Sequence, residues 1–167
     1  FLGVGLLLLA MHQASAQTAP QRGGTLVMVV QPEPPTLAAY QSTAGPIGQV
    51  STKVFEGLLE YSFELKPIPS LAKSWTVSPD GKTVTFKLKE NVKFHDGKPF
   101  TSADVQFSVM DVLKKVHPRG ANTFRSVTAV DTPDALTAVF RLSEPAPYML
   151  MALSSYESPI LPKHVYG

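Results

Sequence analysis

The sequence predicts a mixed α/β fold, and three local patterns predict it. Trp75 and Val77, then Val84, Phe86 and Leu88, alternate on either side of Ser78-Pro79-Asp80-Gly81-Lys82. That is a hairpin, because proline presets one turn dihedral and glycine tolerates positive φ. Val105, Val109, Val112, Leu113 and Val116 recur at helical spacing behind Thr101-Ser102-Ala103-Asp104, which has the form of a capping box. Leu136, Ala138, Phe140 and Leu142 alternate again, as a half-buried strand requires.

Composition sets the outer bounds. The 167 residues carry Lys+Arg 15 against Asp+Glu 13, a formal charge of +2, so no strong field directs the chain to nucleic acid or anionic lipid. An apolar share of 44% with 17% charged residues fits a packed core rather than disorder. With no cysteine, disulfides, thiolate metal sites and lipid attachment to an N-terminal cysteine are excluded for these residues. Fifteen prolines predict many punctuated, extended connections.

The elements follow in order. Phe1 to Ala10 (FLGVGLLLLA) is an uncharged apolar run, and Ala14-Ser15-Ala16 supplies small residues at peptidase spacing. This reads as residues 1–16 of a secretory signal peptide lacking its basic n-region. A membrane helix would need roughly 20 apolar residues. Residues 17–24 are polar and carry Gly23-Gly24, a flexible lead-in. Thr25 to Val30 (TLVMVV) has the pattern of a strand buried on both faces, ended by Pro32, Pro34 and Pro35. From Pro46 to Leu59, Ile47, Val50, Val54 and Leu58, broadened by Phe55 and Leu59, predict an amphipathic helix weakened by Gly57.

The chain is then extended around Tyr61 and Phe63 and interrupted at Pro67 and Pro69, before the first hairpin. Phe94 to Phe100 (FHDGKPF) makes another turn, with Phe100 and Val105 forming the staple that accompanies the capping box. The helix stops before Pro118. Strands at about Ser126 to Val130 and Leu136 to Leu142 flank a turn at Asp131-Thr132-Pro133-Asp134. A short helix opens at Pro147 and carries Tyr148, Leu150, Met151 and Leu153, and no further helix or strand is expected after Ser158 to His164.

Chemical motifs are few. No phosphate loop, G-x-S-x-G elbow or HExxH pair occurs, and His12, His95, His117 and His164 are too dispersed for a local metal set. No catalytic residue, metal ligand or cofactor is therefore expected. His95-Asp96 could orient a catalytic proton, but within a DGKP turn a turn hydrogen bond is the preferred reading. Lys114, Lys115, His117 and Arg119 read as a solvated helix end beside the C-terminal dipole. Trp75, Phe86 and Phe94 read as core.

One long segment goes further. Leu71 to Phe107 (LAKSWTVSPDGKTVTFKLKENVKFHDGKPFTSADVQF) resembles the diagnostic block of the extracellular solute-binding proteins of family 5, receptors of ABC importers for peptides, nickel and opines. The shared steps are the Ala-x-Ser-Trp opening, the DG turn, the alternating strand, and F-H-D-G-x-x-F-T followed by Ala-Asp-Val. Gly24-Thr25-Leu26, Val54-Phe55-Glu56-Gly57-Leu58 and Pro162-Lys163-His164 extend the likeness to about 140 residues.

The resemblance implies an incomplete periplasmic-binding-protein-like type II fold, an N-terminal piece of a longer two-lobed receptor. Residues 25–48 would begin the first lobe, 49–145 would form its β-rich inserted subdomain, and 146–167 would return to the first lobe. It implies a non-enzymatic, exported, periplasmic subunit, monomeric. Its partners would be a peptide or other small solute and ABC permease subunits, with no nucleic acid.

Cleft contacts would come from Gln31, Pro32 and Glu33, and from Ser155 and Tyr156 at the re-entry, with Phe124 and Tyr148 as cleft or core. Glu33 reads equally as a partner for a ligand amine or as an exposed loop carboxylate. A nickel or other metal chelate, haem, an opine or an oligosaccharide are alternative ligands, and a chaperone-like peptide binder is the alternative role.

Overall fold

The computed structural model describes residues 23–167. The signal-peptide reading of residues 1–16 and most of the lead-in lie outside the described residues.

The chain enters as an unpaired stretch, and here the structure departs from expectation. Residues 25–30 form no strand, and Leu26 and Val27 are 90% and 84% exposed. A doubly buried strand needs neighbours on both edges and cover on both faces. The described residues supply neither. After a 3₁₀ turn at Ala39–Gln41, helix α1 covers only Gly45–Ser51, opened by Pro46 in its first turn.

The expected helix to Leu59 is therefore cut short. Leu58 and Leu59 are fully buried, but Leu59 starts strand β1 (Leu59–Tyr61) and its amide donates to Leu153 O at 3.0 Å. Gly57 permits the change of course, since a Cβ there would stand 2.5 Å from Leu153 O. The apolar spacing was real, but its last members are satisfied by tertiary burial in extended form.

Strand β2 (Pro67–Pro69) pairs antiparallel with β1, so the two prolines sit in a strand rather than interrupting one. The register explains this: Ser62 N donates to Lys66 O and Ser70 N to Leu58 O. Even-numbered residues therefore carry the ladder, and the odd-numbered prolines forgo no bond.

The main sheet is four-stranded and antiparallel, in the order β3-β4-β6-β5, from β3 (Ala72–Val77), β4 (Thr83–Leu88), β5 (Val127–Asp134) and β6 (Thr137–Leu142). In the β3–β4 turn Gly81 adopts φ +68, Ser78 donates its hydroxyl to Asp80 Oδ1 at 2.5 Å and Lys82 N donates to the same oxygen at 3.0 Å. Val84, Phe86 and Leu88 are buried as the alternation requires, while Val77, near the tip, is exposed. Phe86 meets Phe140 edge to face with centroids 5.1 Å apart.

The second hairpin turns later than expected. β5 runs through Thr132 and Pro133 to Asp134, and the turn is Ala135-Leu136. Register shifts between Asp131 and Asp134 absorb the proline, because a bulge is where a missing ladder donor costs least. Asp134 Oδ1 then accepts from Leu136 N at 2.8 Å and sets the turn.

Across this sheet lies one helical run made of α2 (Ser102–Phe107), a π-helical stretch Ser108–Leu113 and α3 (Lys114–Val116). The capping box forms: Asp104 Oδ2 accepts from Thr101 N at 2.8 Å, and Phe100 and Val105 are both buried. Val105, Val109 and Leu113 enter the same core as Phe86, Phe140 and Leu142. Val116, the expected end of the stripe, is exposed. The widened turn begins at Ser108, whose hydroxyl donates to Asp104 O at 2.7 Å, a bond that loosens helices from within.

Three short helices, α4 (Gly120–Thr123), α5 (Tyr148–Met151) and α6 (Lys163–Tyr166), complete the chain, the last where none was expected. Ala146, Met149, Leu153 and Ile160 pack into the core that holds the sheet. No described helix is long and apolar enough to cross a membrane.

Candidate functional site

The expected ligand residues do not gather at one place. Ser155 and Tyr156 share an open cavity of about 770 Å³ with Lys53, Glu60, Tyr61 and Glu157. Gln31, Pro32 and Glu33 are exposed and do not line it. Phe124 is 1% exposed and packs within the main core. Tyr148 is exposed outside the cavity, with the Arg125 guanidinium 5.8 Å from its ring centroid.

Two backbone approaches build the cavity. Gly57 lets the chain before β1 run against Leu153 to Ser155. Glu60 then reaches across, and its Oε1 accepts from Ser155 N at 3.1 Å. Tyr156 lies over Gly48 of α1, where a Cβ would stand 2.0 Å from its ring, and its hydroxyl donates to Thr43 O at 3.3 Å. Ser158, whose amide donates to Ser154 O at 2.8 Å, closes the loop that carries both residues.

Electrostatically the lining is acidic. Glu56, Glu60 and Glu157 face one lysine, Lys53, and Glu157 is paired with Arg119 at 2.6 Å. The Tyr61 hydroxyl is buried, and burial pushes its pKa up, opposed by the neighbouring Ser154 side chain and reinforced by Glu157 and Glu60. It stays a neutral donor at physiological pH. No three His, Asp or Glu side chains among the described residues stand where they could share a metal ion. The lining offers donors and acceptors for holding a polar solute.

The turn at Phe94–Phe100 is structural, as preferred. Asp96 Oδ1 accepts from Lys98 N at 3.1 Å, and Gly97 has φ +86. His164, by contrast, was passed over in the sequence, and its Nε2 meets Asp96 Oδ2 at 2.6 Å. In the basic cluster Lys115 pairs with Asp111, Arg119 with Glu157, Lys114 bonds the Val127 carbonyl, and His117 is buried with its pKa lowered by burial. Glu60, Tyr61 and Glu157 were missed as site residues. Only Gly57, as a mark of close backbone approach, hinted at the place.

The mixed α/β unit therefore presents an open cavity at which Glu56, Glu60, Glu157, Tyr61 and Ser155 come together. Residues 66–166 match the bacterial extracellular solute-binding proteins, family 5 Middle. The chain belongs to that family.

A Brucella ovis protein named as an ABC transporter peptide-binding protein is 42% identical over 113 residues, 66% of this chain and 21% of its own length. Among solved structures, AgaA from A. tumefaciens R10 in complex with agropinic acid is 36% identical with a TM-score of 0.69, covering 80% of this chain and 27% of that one. OppA of Haemophilus influenzae in complex with RPPGFSPFR is 26% identical with a TM-score of 0.71, covering 80% and 29%. The described fold is thus part of a periplasmic-binding-protein fold, and the chain spans about a fifth to three tenths of the length of these three relatives.

Proposed function

We propose that the chain forms part of the substrate-binding subunit of an ABC importer that captures oligopeptides or dipeptides in the periplasm and hands them to the permease. The observation that carries this reading is the likeness, over four fifths of the chain, to an OppA that holds a nonapeptide. In the same reading residues 25–48 begin the first lobe, 49–145 are its inserted subdomain and 146–167 return to it. Ser155 and Tyr156 stand on a cleft wall, and Gln31 to Glu33 reach the ligand from a separate loop.

A second reading has its own support: AgaA, at 36% identity, holds agropinic acid. Agropinic acid and a peptide both present a carboxylate, so the lining alone does not choose between them. The deciding experiment replaces the matched segment of the Brucella relative with this chain and titrates the chimera calorimetrically with peptides and with agropinic acid. Peptide heat alone supports the first reading, opine heat alone the second. A folded chimera that binds neither overturns both.

A further inference from the structure

His117 carries a buried polar atom that the candidate site does not use. It is 5% exposed at the corner between α3 and α4, and its Nε2 is enclosed without a hydrogen-bond partner. Its Nδ1 accepts from Arg119 N at 3.3 Å. A neutral imidazole accepts at Nδ1 only when its proton sits on Nε2, so this bond leaves the Nε2–H stranded. The backbone fixes the same corner: His117 N donates to Leu113 O at 3.2 Å, and Gly120 N donates to His117 O at 2.9 Å. A Cβ on Gly120 would run into Leu113 O and stand 3.2 Å from His117 Cβ.

Arg119 joins this corner to the cavity. Its guanidinium meets Glu157 Oε1 at 2.6 Å, Glu157 lines the cavity, and the Arg119 carbonyl accepts from Asn122 N and Thr123 N at 3.2 and 2.9 Å to start α4. The other charges near the corner are engaged elsewhere. Lys114 bonds the Val127 carbonyl, Lys115 pairs with Asp111 at 2.8 Å, and Arg125, after α4, stands 3.8 Å from Glu144. Burial, then the Arg119 charge, hold the imidazole pKa below its usual value.

We propose that His117 is a pH-sensitive latch on the cavity wall: protonation at Nδ1 breaks the bond from Arg119 N, opens the α3–α4 corner and frees Glu157 from Arg119. A protonated ring donates from both nitrogens, so an Nδ1–H would face the Arg119 N–H, and a second positive charge would be buried beside the guanidinium. Water entering an opened corner relieves both. A histidine whose folded pKa lies below its unfolded value, about 6.5, contributes its full stabilisation above that value and loses it as pH falls toward the folded one. This window opens above the carboxylate range, and the latch acts on the wall whichever solute the cavity holds.

Amide hydrogen exchange on the 167-residue chain, corrected for intrinsic rates, tests this. From about pH 6.5 to about pH 5, exchange at Arg119, Gly120, Asn122 and Thr123 is expected to rise roughly tenfold, within the limit of tenfold per pH unit for one proton. Their protection should stay below that of β4 and β6 throughout, and equal protection, which would mean that the corner opens only with the whole molecule, overturns the proposal. His117→Asn keeps an oxygen that can accept from Arg119 N but does not titrate, and it should abolish the rise. An equal rise in that variant, or none in the unaltered chain, overturns the latch. The Glu157 carboxyl carbon resonance should shift over the same interval, and a resonance that stays put overturns the link to the cavity. A further measure needs no variant. The ring nitrogen resonances of His117 should place its proton on Nε2 at pH 7, and a proton on Nδ1 there overturns the proposal.

Discussion

Gly57 has backbone where a side chain would go: a Cβ would stand 2.5 Å from Leu153 O, 2.5 Å from Ser154 C and 2.6 Å from Ser155 N. Backbone atoms cannot swing aside as a side-chain end can, so Gly57→Ala is expected to cost about 3 kcal/mol, near the upper range for overpacking. A urea midpoint within error of the unaltered chain would show that the approach is looser than described. Gly48→Ala makes the contrasting case. The three atoms nearest its Cβ all belong to the Tyr156 ring, the closest at 2.0 Å, and a ring can rotate away. The expected outcome is a smaller loss of stability together with greater exposure of Tyr156, read by tyrosine fluorescence quenching. Asp104 belongs at this scale too, because one buried carboxylate serves two segments, accepting from Thr101 N through Oδ2 and from Lys163 N through Oδ1. Asp104→Ala removes a helix cap and orphans a second donor, an expected loss of about 2 kcal/mol in urea unfolding.

At the scale of elements, the turns are held by aspartates whose acidity the fold has shifted. A hydrogen bond from the Ser78 hydroxyl, then the Lys82 amide, lower the pKa of Asp80, and the Thr137 hydroxyl, then the Leu136 amide, lower that of Asp134. A carboxyl whose folded pKa lies below its unfolded value contributes stability above the unfolded value and loses it as pH falls through the folded one. The urea midpoint is therefore expected to drop between about pH 5 and about pH 3. Asp80→Asn should flatten that slope, and an unaltered slope would remove Asp80 from the account. These turns were legible in the sequence because Ser-Pro-Asp-Gly and His-Asp-Gly-Lys act on their own backbone. The cap and staple at Phe100 to Val105 were legible for the same reason. The turn before β6 was misplaced because Pro133, which looks like a turn residue, sits in a bulge that asks nothing of its missing amide. Likewise Ile47 to Leu59 kept helical spacing while Leu59 was drawn into β1 by Leu153 and Leu58 was buried just ahead of it.

At the scale of the molecule, what could not be read locally is what joins distant segments. Glu60 and Ser155 are brought together by a single hydrogen bond, and neither neighbourhood announces the other. The run Thr25 to Val30 was read as a buried strand from its residues alone, yet a strand is a property of its partners, and among the described residues it has none. The same reasoning governs binding. A pocket that holds a ligand well encloses most of its surface, and a closing cleft gains affinity because ligand contacts favour the closed arrangement over the open one. This chain corresponds to 29% of the OppA that holds RPPGFSPFR, and its cavity is open. On the proposed reading the cavity is one wall of a cleft, and one wall can touch a peptide but cannot enclose it. Calorimetric titration of the 167-residue chain with RPPGFSPFR is therefore expected to show no isotherm in the micromolar range. A clear micromolar isotherm, abolished by Gly57→Ala, would mean that the cavity of Glu60, Tyr61, Ser155 and Tyr156 is a complete site by itself.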